Sequence, residues 1–346
     1  MTRVEPIRVG LVADPAAPTE IAQGMRDLGP PSSSHRATWD VAVVSEPFTV
    51  GSEEVGTAID RLAEHARRHD WDLVVGLTEL PLRDDDGRYL LTEVDPGGRT
   101  AVLSLPALGG LRMHARARHA LRELVDGMAD AAASGDQRVP LPRVRGRGRL
   151  LMGMVLANRP WLLVPGLKSA LVAALATGAV ATINSTVWLL AGSLSTWRLA
   201  VATVASVALV VGWLVVDGNL WDRPEDDSPE ARERSRLYNT STLVTLLIGV
   251  LVCYLVLYVV NLAWALFVLD PDVMGGYLGS TLGYGDLFLL SWFVASAATV
   301  GGGLGTGLES DEAIRAATYS KREEERRARL AGDRRGGRRG RQRGRG

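Results

Sequence analysis

The sequence predicts two kinds of structure in one chain: an α/β soluble domain, a mostly parallel sheet with flanking helices, followed by an all-α four-helix transmembrane bundle. Three observations predict it. Strand-like and helix-like patterns alternate over roughly the first 130 residues in β-α-β-α-β order, which favours a parallel sheet. Four apolar stretches follow, at 169–191, 199–216, 241–269 and 287–308. Each is long enough to cross a hydrocarbon core of ~30 Å at 1.5 Å per residue. Arginine crowds the segments before the first stretch, between the second and third, and after the fourth.

In the soluble part, Ile7–Ala13 (IRVGLVA) reads as a buried strand and Pro18–Leu28 as a helix with Thr19 as N-cap. A polar loop, Gly29–His35, leads to a second strand at Thr38–Val44. Ser52–His69 is an amphipathic helix with Ser52 as N-cap and Val55, Ile59, Leu62 and Ala66 on one face. Asp72–Leu77 is a third strand. Arg88–Glu93 and Thr100–Leu105 are strand-like and separated by the turn signal Asp95–Gly98 (DPGG). Met113–Ala133 is a second long helix.

The predicted organisation is a cytosolic α/β domain at 1–142, a basic linker and interfacial segment at 143–168, four spans within 169–308, and a charged helix with an Arg/Gly-rich tail at 309–346. Ser134–Arg149 reads as linker, and Leu150–Leu156 is apolar but too short to span. Asn158–Lys168 carries Trp161 and Lys168, residues suited to the headgroup level.

The 346 residues have zero formal net charge, but that zero averages unlike parts. Residues 1–142 hold fifteen Lys/Arg against twenty-two Asp/Glu, whereas Arg334–Gly346 has seven arginines and no acid. Arg143–Lys168 holds six basic residues, the connection between the second and third spans four arginines, and the tail after the fourth thirteen. Gly192–Arg198 has one arginine and Asp270–Asp286 none. Basic residues stay on the cytosolic side, so the expected location is the plasma membrane with both termini cytoplasmic. The expected partners are the bilayer and its anionic headgroups, which the Arg-rich flanks would meet. A nucleic-acid partner is not expected. The first residues lack a signal-peptide pattern. The single cysteine, Cys253, allows no intramolecular disulfide and no multi-cysteine metal site.

Four groups of residues are candidates for function. Asp14, Glu46, Thr78 and Glu79 follow predicted strands, where open α/β sheets bind ligands. No glycine-rich phosphate loop follows the first strand, so no nucleotide or other cofactor is expected. Gly301, Gly303, Gly305 and Gly307 have the four-residue spacing of close helix packing, within the bundle or between copies in a homo-oligomer. Asn184 and Asn261 are the most deeply placed polar groups in the spans, where interhelical hydrogen bonds are the expectation. Thr281–Asp286 (TLGYGD) resembles the selectivity filter of potassium channels, with Thr281, Gly283, Tyr284, Gly285 and Asp286 in the matching positions. The glycine-rich stretch before it, Asp270–Ser280, reads as an external turn rather than a pore helix.

Two wider resemblances add expectations. Val74–Leu82, Thr100–Leu105 and Arg118–Val125 follow the order seen in archaemetzincin-type zinc proteases. The paired histidines of that family's HExxHxxGxxH helix are missing, since His114 and His119 lie five apart. That resemblance therefore implies a scaffold without metal or catalysis. The general plan, with Gly302–Arg315 (GGLGTGLESDEAIR) and the Arg-rich end, resembles multi-pass membrane proteins of high-GC actinobacteria. It implies a plasma-membrane location and no particular activity. The expected function is a membrane-anchored module whose soluble domain binds a protein or small molecule. A small potassium-channel-like protein and an enzyme in the N-terminal domain are the alternatives.

Overall fold

The computed structural model describes residues 6–15, 17–26, 38–49, 55–84, 87–110, 112–129, 138–224 and 227–305. They fall into two compact units, divided between Ala157 and Asn158. The expected helix at 311–330, the Arg-rich tail, Ser52, Gly307 and the 29–35 loop lie outside the described residues.

The first unit contains strands β1 (Ile7–Ala13), β2 (Trp39–Ser45), β3 (Leu73–Thr78), β4 (Leu82–Arg83), β5 (Tyr89–Val94), β6 (Thr100–Ser104) and β7 (Arg138–Pro140). Its helices are α1 (Ala17–Gln23), α2 (Val55–His69), α3 (Met113–Ala129) and α4 (Arg143–Ala157). The sheet order is β2-β1-β3-β6-β5-β4, with β7 beside β5. Pairing is parallel from β2 through β6 and antiparallel from β6 through β5 to β4 and β7. The sheet is therefore mixed rather than mostly parallel. The cause is the turn at Asp95–Gly98, which sends β6 back along β5. There Asp95 Oδ1 accepts the N–H groups of Arg99 (2.9 Å) and Thr100 (2.7 Å). Gly98 supplies the left-handed residue at φ +67°.

Strand alternation sends side chains to two cores. Val9, Leu11, Val75, Leu77 and Leu103 pack with Ile21 of α1 and Leu121 and Val125 of α3. Val12, Val74 and Val102 face the other way, against Val55 and Leu62 of α2 and Phe48. Each fully buried Leu, Val or Phe contributes about 1.5–3 kcal/mol. Gly76 of β3 makes room on the α2 face, since a Cβ there would lie 2.6 Å from Leu62 Cδ1 and 2.7 Å from Phe48 Cζ.

The segment read as linker is structured. β7 pairs with β5, and α4 runs from Arg143 to Ala157, absorbing the apolar stretch at 150–156. α4 packs on the 3-10 turn at Pro106–Leu108 through Gly153, where a Cβ would sit 2.7 Å from Pro106 Cα. The first helix, α1, is shorter than expected. Thr19 lies inside it rather than at its N-cap and donates from Oγ1 to the Asp14 carbonyl (2.9 Å).

The second unit is helical. A 3-10 turn at Pro160–Leu162 and the short α5 (Leu163–Gly166) precede α6 (Lys168–Ile183), α7 (Ser185–Ser193), α8 (Thr196–Asp217), α9 (Pro229–Val268), α10 (Pro271–Leu278) and α11 (Tyr284–Gly305). α8, α9 and α11 are each long and apolar enough to cross a membrane, and a bent helix pair around Lys168 brings the number of candidates to four. The first expected span, 169–191, is broken at Asn184. That residue leaves helical geometry (φ −82°, ψ 121°) and caps α7 by accepting the Thr186 N–H at 2.9 Å. α9 starts with Ser228 as N-cap, accepting the Ala231 N–H, and Pro229 at the first helical position. Asn239 clamps the chain ahead of it: its Oδ1 accepts from Asp222 N (2.7 Å) and its Nδ2 donates to Asp222 O (2.9 Å). α11 packs against α6, α7, α8 and α9.

Candidate functional site

The strand-end residues form a connected polar chain across the carboxyl edge of the parallel strands. Asp14 follows β1 and is 1% exposed. Its Oδ2 accepts from Thr78 Oγ1 at the end of β3 (2.6 Å) and from Thr49 Oγ1 (3.4 Å). Its Oδ1 accepts from the Phe48 N–H (3.4 Å). Thr78 Oγ1 also accepts the Leu80 N–H (3.0 Å), and Ser104 at the end of β6 donates to the Leu80 carbonyl (2.9 Å). On the other side Thr19 Oγ1 meets Ser45 Oγ at the end of β2 (2.7 Å). Four parallel strands are thus tied at one end by side chains that water would otherwise reach.

Asp14 and Thr78 come together, and Phe48 and Leu80 are buried close by. Glu46 does not join them. Its backbone N–H donates to the Ala13 carbonyl, and its half-exposed carboxylate lies 3.8 Å from His65 Nε2. Glu79 sits at the same edge, half-buried. Chemically, the Asp14 carboxylate works as a latch for the loop after β2. Thr49, Ser104 and the buried His65 were not singled out in the sequence. His65 could have been found, because it falls one turn after Leu62 on the buried side of α2.

In the resemblance to zinc proteases the segment matching the metal-binding helix falls on α3, where His119 Nε2 and Glu123 Oε1 form a solvent-exposed pair at 3.3 Å. Among the described residues no three His, Cys, Asp or Glu side chains converge on a metal-sized site.

In the helical unit, Thr281–Asp286 forms a helix start. Asp286 Oδ2 accepts the Gly283 N–H (2.8 Å), and the Asp286 N–H donates to the Gly283 carbonyl (2.9 Å). Tyr284, Gly285 and Asp286 belong to the first turn of α11, so their carbonyls run along a helix rather than forming a row of ion ligands. The segment before it is not a turn but α10, capped by Asp270, which accepts the Asp272 N–H (2.9 Å), and closed by Gly279 at φ +65°.

Asn184 caps α7 instead of bridging helices, and Trp188 Nε1 donates across the break to the Thr182 carbonyl (2.8 Å). Asn261 is buried and donates within α9 to the Leu257 carbonyl (2.8 Å), while its amide packs against Gly178 of α6. A Cβ at Gly301 would meet nothing within 4 Å, whereas one at Gly302 would lie 3.1 Å from Ala174 Cβ and 3.3 Å from the Ala170 carbonyl. Gly302 thus allows close contact of α11 with α6. The surroundings of Gly303 and Gly305 lie outside the described residues. An open apolar cavity of about 500 Å³ lies between these two helices, lined by small residues including Ala173, Gly178, Ala297 and Gly301.

Three helices share a polar junction that the sequence reading did not identify. Thr203 of α8 donates to the Leu199 carbonyl (3.0 Å) and accepts from Trp292 Nε1 of α11 (2.7 Å). Its hydroxyl also lies 3.2 Å from both Tyr254 Oη of α9 and Ser296 Oγ of α11, which are 3.0 Å from each other. No protein family, curated protein or solved structure matches the chain.

Proposed function

We propose that this chain is an integral membrane protein whose helices hold a cytosolic α/β binding domain at the inner face of the plasma membrane. The observation that carries this reading is the outward placement of apolar side chains on long apolar helices. Val204 and Val216 of α8, Leu255 of α9 and Val180 of α6 are all more than half exposed. Helices with such surfaces need lipid rather than water around them. Three spans are α8, α9 and α11. In this reading the fourth is α6 continued into α7, an alternative to the bent pair 145–166 and 168–183, and its break at Asn184 is capped by that residue's own side chain. An even number of spans returns both ends of the chain to one side, and the arginine-rich connections make that side the cytosol. The soluble unit is a binding domain rather than a catalytic one in this reading. Its one fully buried strand-end carboxylate, Asp14, is engaged by Thr78, Thr49 and the Phe48 N–H, so recognition falls to its surface.

The test is accessibility. Ser195→Cys and Ser280→Cys, each in a Cys253→Ser background, are expected to react with an impermeant thiol reagent added to intact cells. Asp227→Cys is expected to react only after lysis. Labelling of Ser195→Cys and Ser280→Cys only after lysis, or release of the whole chain by alkaline carbonate, would overturn the reading.

A further inference from the structure

The geometry points to a phosphate-binding site on the α/β unit, formed by Arg116 of α3 and Arg149 of α4 where both cover the backbone of Gly109. Gly109 has φ +80°, a conformation that favours glycine. A Cβ there would lie 2.9 Å from Arg149 Cγ and 3.2 Å from Arg116 Nη1, so the two side chains converge on one bare stretch of main chain. Arg116 is held in place, since its Nη1 donates to the Leu108 carbonyl (2.9 Å). Arg149 has no hydrogen-bond acceptor and no acidic partner among the described residues. Partial burial, and then the charge of Arg116, push its pKa below the usual arginine value, so the two cations repel one another. Arg145 lies one turn earlier on α4, exposed and on the same face, and adds to the positive field.

Such a pair is unfavourable when empty and is relieved by an anion that both forks can grip. Guanidinium groups present paired N–H donors at the spacing of phosphate oxygens, which makes a phosphate group the fitting ligand. Its source is either a phospholipid headgroup or a soluble phosphate compound. The sequence brings the first within reach: Arg149 stands nine residues before Asn158, where the apolar unit begins. The lipid source rests on the membrane placement proposed above. The phosphate chemistry does not.

The full-length protein in phosphatidylcholine nanodiscs is titrated with inorganic phosphate, and separately placed in discs of rising phosphatidylglycerol content. Amide exchange of residues 105–116 is followed in each. Slowed exchange is expected in one arm. Phosphatidylglycerol alone would assign a headgroup, and inorganic phosphate a soluble ligand. In Arg116→Gln/Arg149→Gln the midpoint is expected to move roughly 25-fold, about fivefold for each arginine. Arg67→Gln/Arg99→Gln removes the same charge elsewhere on the unit and is expected to leave it in place. Both members of the site are exposed, so unchanged exchange in β1 and β3 verifies the fold of each variant. Absence of slowing in both arms, or an equal shift in the two double variants, overturns the site. A protein that fails to enter discs counts against the membrane reading, and the phosphate titration repeated in detergent then decides the site.

Discussion

Among the described residues of the α/β unit, no large hydrophobic side chain before Val139 is exposed, whereas in the helical unit Val172, Val180, Val204, Val216 and Phe267 are all more than half exposed. Polar groups inside the two units show a parallel contrast. In the α/β unit Asp14, Thr78 and Ser104 gather at the edge of an apolar sheet. In the helical unit Thr203, Tyr254, Trp292 and Ser296 join at a junction of three helices whose outer faces are apolar. Water drives the first arrangement, because apolar area removed from water is the main favourable term. In the membrane placement proposed above it would not drive the second, because lipid is as apolar as the side chains facing it. Helix association there would then depend on close approach at glycines such as Gly302 and Gly178 and on hydrogen bonds between helices.

The largest effect is expected where the two solvents differ most. Val204→Asp places a charge on the outer face of α8, near its middle, and is expected to cost about 2.5–3.5 kcal/mol in membrane insertion. Arg67→Asp, on the exposed face of α2, is expected to change the stability of the α/β unit by no more than about 0.5 kcal/mol. A membrane-insertion assay of the first and chemical denaturation of the second measure the difference. Equal tolerance at the two positions would break the comparison, because the outer face of α8 would then be in water.

The next effect concerns the buried carboxylate. Asp14→Ala leaves the Thr78 hydroxyl, the Thr49 hydroxyl and the Phe48 N–H without their acceptor, and an orphaned buried polar group costs about 1–3 kcal/mol. A loss of about 2–3 kcal/mol is expected in urea unfolding of the full chain followed through Trp39 and Trp71. Asp14→Asn, which keeps one acceptor oxygen, is expected to lose less. Unchanged stability in Asp14→Ala would show that the carboxylate is not a latch and return it to the ligand reading.

A smaller effect is expected from the equivalent polar deletion in the helical unit. Thr203→Val keeps the shape and removes the oxygen shared by Trp292, Tyr254 and Ser296. Interhelical hydrogen bonds in membranes average about 0.6 kcal/mol, so a total of about 1–2 kcal/mol is expected in unfolding from detergent. A cycle with Tyr254→Phe isolates one link of the junction. A loss in Thr203→Val larger than in Asp14→Ala would invert the comparison.

These residues also show where the chemistry was legible in the sequence. Strands β1, β2 and β3 lie within a residue or so of their apolar runs, because a parallel strand covered by helices is a continuous hydrophobic segment, buried throughout β3 and most of β1 and half-buried at the edge in β2. The antiparallel half was legible but misjudged, since a short turn such as Asp95–Gly98 between two strands already implies a hairpin. α10 was missed although Asp270, Pro271 and Gly279 are ordinary start and stop signals, because its internal glycines were read as breakers. α4 was missed because its arginines and glycines resemble a linker. Arginine is a good helix former, and Gly153 is there for contact with Pro106, which only the folded chain reveals. Asp14 and Thr78 were found from their places at strand ends. The burial of Phe48 and Leu80 beside them was not, because it depends on loop conformation rather than pattern. Thr203, Tyr254 and Ser296 lie 42 or more residues apart along the chain, apart from the local Trp292–Ser296 pair, so no spacing rule brings them together.

The smallest effect is expected on the exposed face of α2, where Glu64 and Arg68 form an ion pair one turn apart. The hydrogen bond from Arg68, and then its charge, hold the Glu64 pKa below the ordinary 4.5. A depressed carboxylate pKa stabilises the fold at pH values above the unfolded value, and the contribution is lost as the pH falls through the folded value. The pair is fully solvated, so Arg68→Ala is expected to leave stability at neutral pH within the error of denaturation. The change should instead be visible in an NMR titration of Glu64, whose midpoint is expected to rise toward 4.5. Added salt is expected to raise it in the same direction in the unmodified protein, because screening weakens a surface pair. Thr203 is expected to behave differently, because its partners carry no charge: neither salt nor acid should alter the effect of Thr203→Val. Sensitivity of that variant to ionic strength would mean that water reaches the junction, and the contrast between the two units would then have to be redrawn around a hydrated helical core.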